Sequence, residues 1–231
     1  MMDPLEALGE HVRAAHLEDR PFVTLSYAQS LDGSLAARPG VRLQLSGPES
    51  MALTHRLRAA HDAVLVGIGT VLADDPQLTV RLAAGPSPRP VVLDSRLRTP
   101  SAARLLHHPQ PPWIAGLAAS NGDRAAVLRQ AGAEILALPA DPQGMVSLTA
   151  LLQEARRRGI TRLMVEGGAR VIRSFLAARL VDWTLITIAT RFVGGLPALQ
   201  LDPAEAESGL RLHNPRWQTL GEDLIVWGSL R

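Results

Sequence analysis

The stretch Asp62–Arg81, DAVLVGIGTVLADDPQLTVR, decides how this chain is read. An apolar run, Ala63–Val66, meets Gly67 and Gly69, then Thr70, the acids Asp74 and Asp75, Pro76 and Arg81. That order predicts a strand whose end opens into a helix start, where unpaired backbone N–H groups face an incoming anion. The functional reading is a nucleotide or sugar-phosphate site. The structural reading is a tight connection whose glycines merely permit close packing. A dinucleotide-binding G-x-G-x-x-G turn is excluded, because Leu72 stands at the third glycine.

Working outward, strand and helix signals alternate. Strands are predicted from Pro21 to Ser26, at Asp62–Val66, Val91–Leu93, Trp113–Ala115, Glu134–Leu138 and Arg162–Val165. Helices are predicted over residues 4–19, from Pro48 to about Ala60, and at Asp123–Gln130, Ser147–Arg158 and Gly168–Ala178. Such alternation argues for a largely parallel sheet covered on both faces. The end changes character: the β-branched run Trp183–Ala189 is followed by strand signals at Leu210–Leu212 and Leu224–Trp227 around a turn near Gly221. The fold class read from this is a three-layer α/β/α domain, its mostly parallel mixed sheet closed by an antiparallel C-terminal edge. Residues 1–19 read as a helical extension and 20–231 as one domain.

Composition narrows the chemistry. All 24 basic residues of the 231-residue chain are arginine, so a Schiff-base lysine and a lysine-dependent P-loop are excluded. With no cysteine there is no disulfide, thiol nucleophile or cysteine-type zinc site. The formal charge of +2 gives nucleic acid little general attraction. Arginine remains well suited to phosphate, since its planar fork binds two oxygens at once. Aromatic residues make up 3%, so the core must rest on Leu, Val, Ile and Ala. The acidic N-terminus does not read as a secretory signal, and no apolar run reaches the roughly 18 residues of a membrane span. A cytoplasmic setting is the expectation.

Three further motifs carry chemistry. Val165-Glu166-Gly167-Gly168 places an acid at a strand end beside glycines that open a helix, either as a ligand acceptor next to an anion nest or as a charge stabilising the helix start. Ser30-Leu31-Asp32-Gly33 is a turn signature. Arg58 and Arg81 flank the glycine segment as phosphate ligands or as solvated surface residues. His55, His61, His107, His108 and His213 lack ligand spacing, so no metal site is expected. Arg156-Arg157-Arg158 reads as a dipole-favoured helix end.

In order, SLDG, VGIGTVLADDP-Q-LTVR, VVLDS, VEGG and VDWTLITIATRFVGG resemble the reductase domain of riboflavin biosynthesis, from about Arg20 to Arg231. The resemblance implies a dihydrofolate-reductase-like fold and a homodimer. It further implies NADPH-dependent reduction of a small phosphorylated substrate, a ribosylamino-pyrimidine 5′-phosphate, to its ribitylamino form. Carried onto this sequence, it puts the cofactor at Ala28, Gln44, Thr70, Asp74, Ser95 and the helix start Gly168, Ala169, Arg170, Val171, Ile172, Arg173 and Ser174. It puts the substrate at Arg42, Arg58, Leu78, Arg81 and Glu166, with Glu166 as the catalytic group. Arg58 and Arg81 would grip the 5′-phosphate, and Ser95 or Arg96 would meet the adenosine 2′-phosphate. Two ligand-contact residues depart from the pattern: Arg42 stands where the family often has a substrate-facing serine, and Gln44 where it has a cofactor-facing tryptophan. Thr190 replaces a common proline. The family's zinc deaminase pattern is absent from this sequence, so deamination is not expected. A relative acting on another heterocycle or pterin-like substrate, and a nucleotide-binding module without catalysis, are the alternatives.

Overall fold

The computed structural model describes residues 3–15, 17–41, 43–120, 122–199 and 209–230. Its strands are β1 (Phe22–Ser30), β2 (Ser34–Ala36), β3 (Ala63–Gly67), β4 (Arg89–Leu93), β5 (Trp113–Leu117), β6 (Glu134–Leu138), β7 (Arg162–Val165), β8 (Trp183–Ala189), β9 (Leu196–Pro197), β10 (Leu212–Leu220) and β11 (Asp223–Leu230). The α-helices are α1 (Pro4–Ala14), α2 (Pro48–Ala59), α3 (Ile68–Asp74), α4 (Asp123–Gln130), α5 (Leu148–Arg157) and α6 (Ala169–Ala177).

Nine strands form one sheet in the order β10-β11-β8-β1-β7-β3-β4-β5-β6. From β8 to β6 all neighbours are parallel, while β11 joins β8, and β10 joins β11, antiparallel. Alternate side chains feed two cores. Val64, Val66 and Val92 pack with α1, α2, α3 and α4 on one face, and Ala63, Leu65 and Val91 pack with α5 and α6 on the other. This is the mixed three-layer class that strand–helix alternation predicts. Ala7 and Leu8 of α1 are buried in the first core. Their place there shows what the N-terminal helix does for the fold: it covers part of the sheet.

Helix ends follow local chemistry. Asp3 caps α1 through its side chain onto the Leu5 N–H, with Pro4 at the first position. Ser147 caps α5 in the same way, accepting from Ala150. Strand starts are tied by acids: Asp62 accepts from the Thr161 and Arg162 amides, and Asp182 from Arg20 and the Val23 amide.

Two differences from the sequence reading stand out. Helix α1 ends at Ala14, earlier than the predicted residue 19. Strand β10 is nine residues long, where the sequence signal was confined to Leu210–Leu212. Its polar run His213–Arg216 and Pro215 do not look like a strand, yet an edge strand with exposed faces tolerates both.

Candidate active site

Strands β3 and β7 are neighbours whose C-terminal ends lead to opposite faces of the sheet. The chain leaves β3 into α3, whose Ile68 and Val71 join the first core. It leaves β7 into α6, whose Val171, Ile172 and Phe175 join the second. In an open parallel sheet such a reversal leaves a crevice above the strand ends, the usual place for a ligand. The two glycine segments singled out in the sequence therefore lie side by side. They are pressed together by Val171: a Cβ at Gly67 would sit 2.7 Å from its Cγ2, and one at Gly167 would sit 2.5 Å from its Cβ.

One flank of the crevice is held by charge. Glu166 follows β7, and its amide donates to the Leu65 carbonyl at 2.9 Å. Its carboxylate takes both Nε and Nη2 of Arg58 at 2.6 Å, a two-point pair with side chains only 11% and 16% exposed. Burial pulls the Arg58 pKa down, but the Glu166 charge and hydrogen bonds outweigh it and raise it. The remaining Nη1 donates to the Thr79 carbonyl at 3.2 Å. Arg58 is thus engaged by Glu166 and the chain after α3, whereas the sequence reading gave it the phosphate.

That chain, Leu78–Arg81, forms a strap. Leu78 adopts φ +57° with its side chain buried in the first core, so only its backbone can face a ligand. The Val80 amide donates to Ser87 Oγ at 2.9 Å and the Arg81 amide to His55 Nδ1 at 2.9 Å. The Arg81 side chain is at the surface, donating to Thr79 Oγ1 at 2.6 Å. Desolvation first, and then the Arg58 and Arg104 charges, lower its pKa. A cation that feels two other arginines is in a setting that an anionic ligand relieves. Arg104 was missed in the sequence because it lies in a short connecting turn, its amide held by Asp75 Oδ1 at 2.8 Å.

The opposite flank is backbone. Gly168 is the N-cap of α6 and provides no side-chain cap, so the first amides of a nine-residue helix open on the crevice. Thr70 Oγ1 would lie 3.6 Å from a Cβ at Gly168, which places α3 against that helix start. Ala169 is half-buried, Arg170, Arg173 and Ser174 are exposed, and the Val171 and Ile172 side chains are core. Asp74 is half-buried in the last turn of α3. Ala28 lies near the end of β1, opposite Thr187 of β8. Ser95 follows β4; its hydroxyl accepts from the Val146 amide at 3.1 Å, joining it to the segment before α5, while Arg96 is exposed. Gln44 is exposed, and its carbonyl accepts from Arg191. Arg42 lies outside the described residues.

The SLDG turn has a structural task. Asp32 accepts from Ser30 at 2.6 Å and Ser34 at 2.8 Å, and from the amides of Val193 and Gly194, tying the turn after β1 to the loop after β8. Those donors push its pKa down. Among the described residues no group of three or more His, Asp or Glu could hold a metal ion, and no helix is long and apolar enough to cross a membrane.

Comparisons with known proteins agree with this architecture. A family model for the RibD C-terminal domain matches residues 21–226. The 2,5-diamino-6-ribosylamino-4(3H)-pyrimidinone 5′-phosphate reductase of Methanothermobacter thermautotrophicus is 41% identical over 90% of this chain and 97% of its own. The RibD structure from Acinetobacter baumannii superimposes with a TM-score of 0.82 at 26% identity, covering 97% of this chain and 62% of that one. A dihydrofolate reductase from Enterococcus faecalis aligns with a TM-score of 0.52 at 14% identity, over 92% of this chain and 99% of that one, a likeness of fold alone. The ordered motifs, the mixed sheet with its antiparallel edge and the family match converge: the chain belongs to the RibD C-terminal domain family.

Proposed function

We propose that this enzyme is the reductase of riboflavin biosynthesis that converts a 2,5-diamino-6-ribosylamino-pyrimidinone 5′-phosphate to its ribitylamino form with NADPH. One observation carries the reading. An ion-paired acid, Glu166, and a field of arginines lie on one flank of the β3–β7 crevice, and an uncapped helix start lies on the other. The diamino substrate is favoured over the deaminated one because the chain matches a stand-alone diamino-pyrimidinone reductase over 97% of that protein's length.

NADPH, when bound, would supply the hydride to C1′ of the ring-opened imine, while the nitrogen of the reduced C=N bond would take its proton from solvent. The open amides of α6 suit its pyrophosphate, and Thr70 and Asp74 border the same helix start. On the substrate flank, Arg81 with Arg104 binds the 5′-phosphate. Glu166, fixed by Arg58, accepts hydrogen bonds from amino or hydroxyl groups and so orients the sugar. Burial of the pair excludes water from that wall. Ser95 and Arg96 border the place for the adenosine 2′-phosphate, and Gln44 takes the place of an aromatic cofactor contact. The family resemblance alone gives Arg42 to the substrate.

The test is direct: purified protein is mixed with NADPH and each pyrimidine phosphate, diamino and deaminated, and absorbance at the nicotinamide band is followed. Oxidation with the diamino form is the expected result, and binding of NADPH without turnover on either would sink the proposal. A cytoplasmic homodimer belongs to the same reading, supported by the family resemblance. Light scattering should then give twice the 24.8 kDa chain mass.

A further inference from the structure

His55 sits on α2 one turn before Arg58, wholly buried, with no part in the ligand contacts assigned above. Its Nδ1 accepts the Arg81 amide proton at 2.9 Å. A nitrogen that accepts carries no proton, so the imidazole is the neutral Nε2–H tautomer. Nε2 is buried with no hydrogen-bond partner among the described residues. Burial first, then the charges of Arg58 on the same helix and Arg81 on the strap, lower the His55 pKa, against a smaller opposing effect of Glu166 at the end of β7. Burial and the two arginines thus favour the acceptor form, with Glu166 opposing them.

The contact lands where the strap needs it. Arg58 holds the Thr79 carbonyl, Ser87 holds the Val80 amide and His55 holds the Arg81 amide. Three consecutive residues are thus tied by three side chains from two other segments. The last tie fixes the backbone from which the Arg81 guanidinium reaches outward, and a ligand arginine works only from a fixed origin.

We infer that His55 is a positioning residue, a neutral imidazole acceptor that fixes the Arg81 backbone and so sets the reach of Arg81 toward the substrate phosphate. The inference rests on the phosphate role given to Arg81 under the proposed function. The experiment has two arms. His55→Leu removes the acceptor, while His55→Asn keeps an oxygen close to the Nδ1 position. In the kinetic arm, His55→Leu is expected to raise KM for the pyrimidine phosphate roughly tenfold. kcat and the KM for NADPH are expected to stay within about twofold, and His55→Asn to restore most of the loss. Toward acid pH the wild type should lose substrate affinity more steeply than His55→Asn, since phosphate protonation is common to both. In the second arm, independent of activity, hydrogen exchange of the Arg81 amide in 15N-labelled protein is expected to accelerate by a similar factor in His55→Leu and to recover in His55→Asn. Unchanged Arg81 exchange in His55→Leu, or equal loss on every kinetic parameter in both variants, overturns the inference. If the wild type turns over neither pyrimidine phosphate, the proposed function falls, and the exchange arm still decides what His55 does.

Discussion

The two flanks of the β3–β7 crevice are built from different materials. On the strap side, charged and polar side chains reach across 108 residues of sequence to pair Arg58 with Glu166. On the α6 side, the working surface is backbone amide, opened by a glycine and backed by a valine and an isoleucine in the core. Side chains can be tuned to one substrate but fail together when a partner is lost. Backbone tolerates substitution, because every residue type except proline carries the same N–H group. Sequence change should therefore hurt the substrate flank far more than the open first turn of α6, from Gly168 onward.

The sharpest way to break that contrast is Glu166→Gln. It leaves the Arg58 guanidinium buried without its counter-charge, and unfolding by urea is expected to show a loss of roughly 3 kcal/mol. Activity should fall with it. The paired change Arg58→Met with Glu166→Leu should regain most of the stability but none of the turnover. If the double variant turns over normally, the pair is only structural.

Next in size is Arg81→Ala. It is expected to raise KM for the phosphorylated substrate about 50-fold, through loss of charge-assisted bonds, with KM for NADPH little changed. Steady-state kinetics with each substrate varied in turn checks this. An equal rise in both constants would move Arg81 off the phosphate.

A smaller effect comes from acid. His61 donates from Nδ1 to the Leu57 carbonyl and accepts at Nε2 from Thr24, and burial pushes its pKa down to about 4. The unfolded chain binds that proton at a pKa of about 6.5, so it takes up more protons than the native state below that pH. Stability is then full above about pH 6.5 and declines as pH falls toward 4. Unfolding free energies from denaturant titrations at pH 7 and pH 5 are expected to differ by about 2 kcal/mol from His61 alone. A flat profile over that range would show that His61 titrates normally.

The smallest effect belongs to the backbone flank. Gly168→Ala meets only Thr70 Oγ1 at 3.6 Å, an ordinary contact. It should cost under about 1 kcal/mol of stability, and the Kd for NADPH should change by less than about fivefold, measured by fluorescence titration. A loss as large as that of Arg81→Ala would erase the contrast between the flanks.

Much of this was legible in the sequence. Glycines after two apolar runs placed both strand ends, and the period of the apolar residues set the layers. What stayed hidden depends on distant partners. Asp32 read as a turn residue because two of its amide donors, Val193 and Gly194, lie more than 160 residues away. Arg58 and Arg81 looked alike, and only the fold turns one onto Glu166 and the other to the surface. His55 showed no spacing signal, since its partner is a backbone amide that any residue would carry. Leu78 carried no sign of its left-handed backbone, because a leucine there is held by burial and not by preference.

The crowding around Val171 also sets an order on permissible change. A side chain at Gly67 would meet only the valine Cγ2, whereas one at Gly167 would meet its Cβ as well as Cγ1. Val171→Ala would therefore open position 67 to alanine while position 167 stayed shut until residue 171 lost its own Cβ. With the backbone held as it is, alanine at the end of β3 needs only a shorter residue 171, whereas alanine at the end of β7 needs the helix itself to move or residue 171 to lose its Cβ.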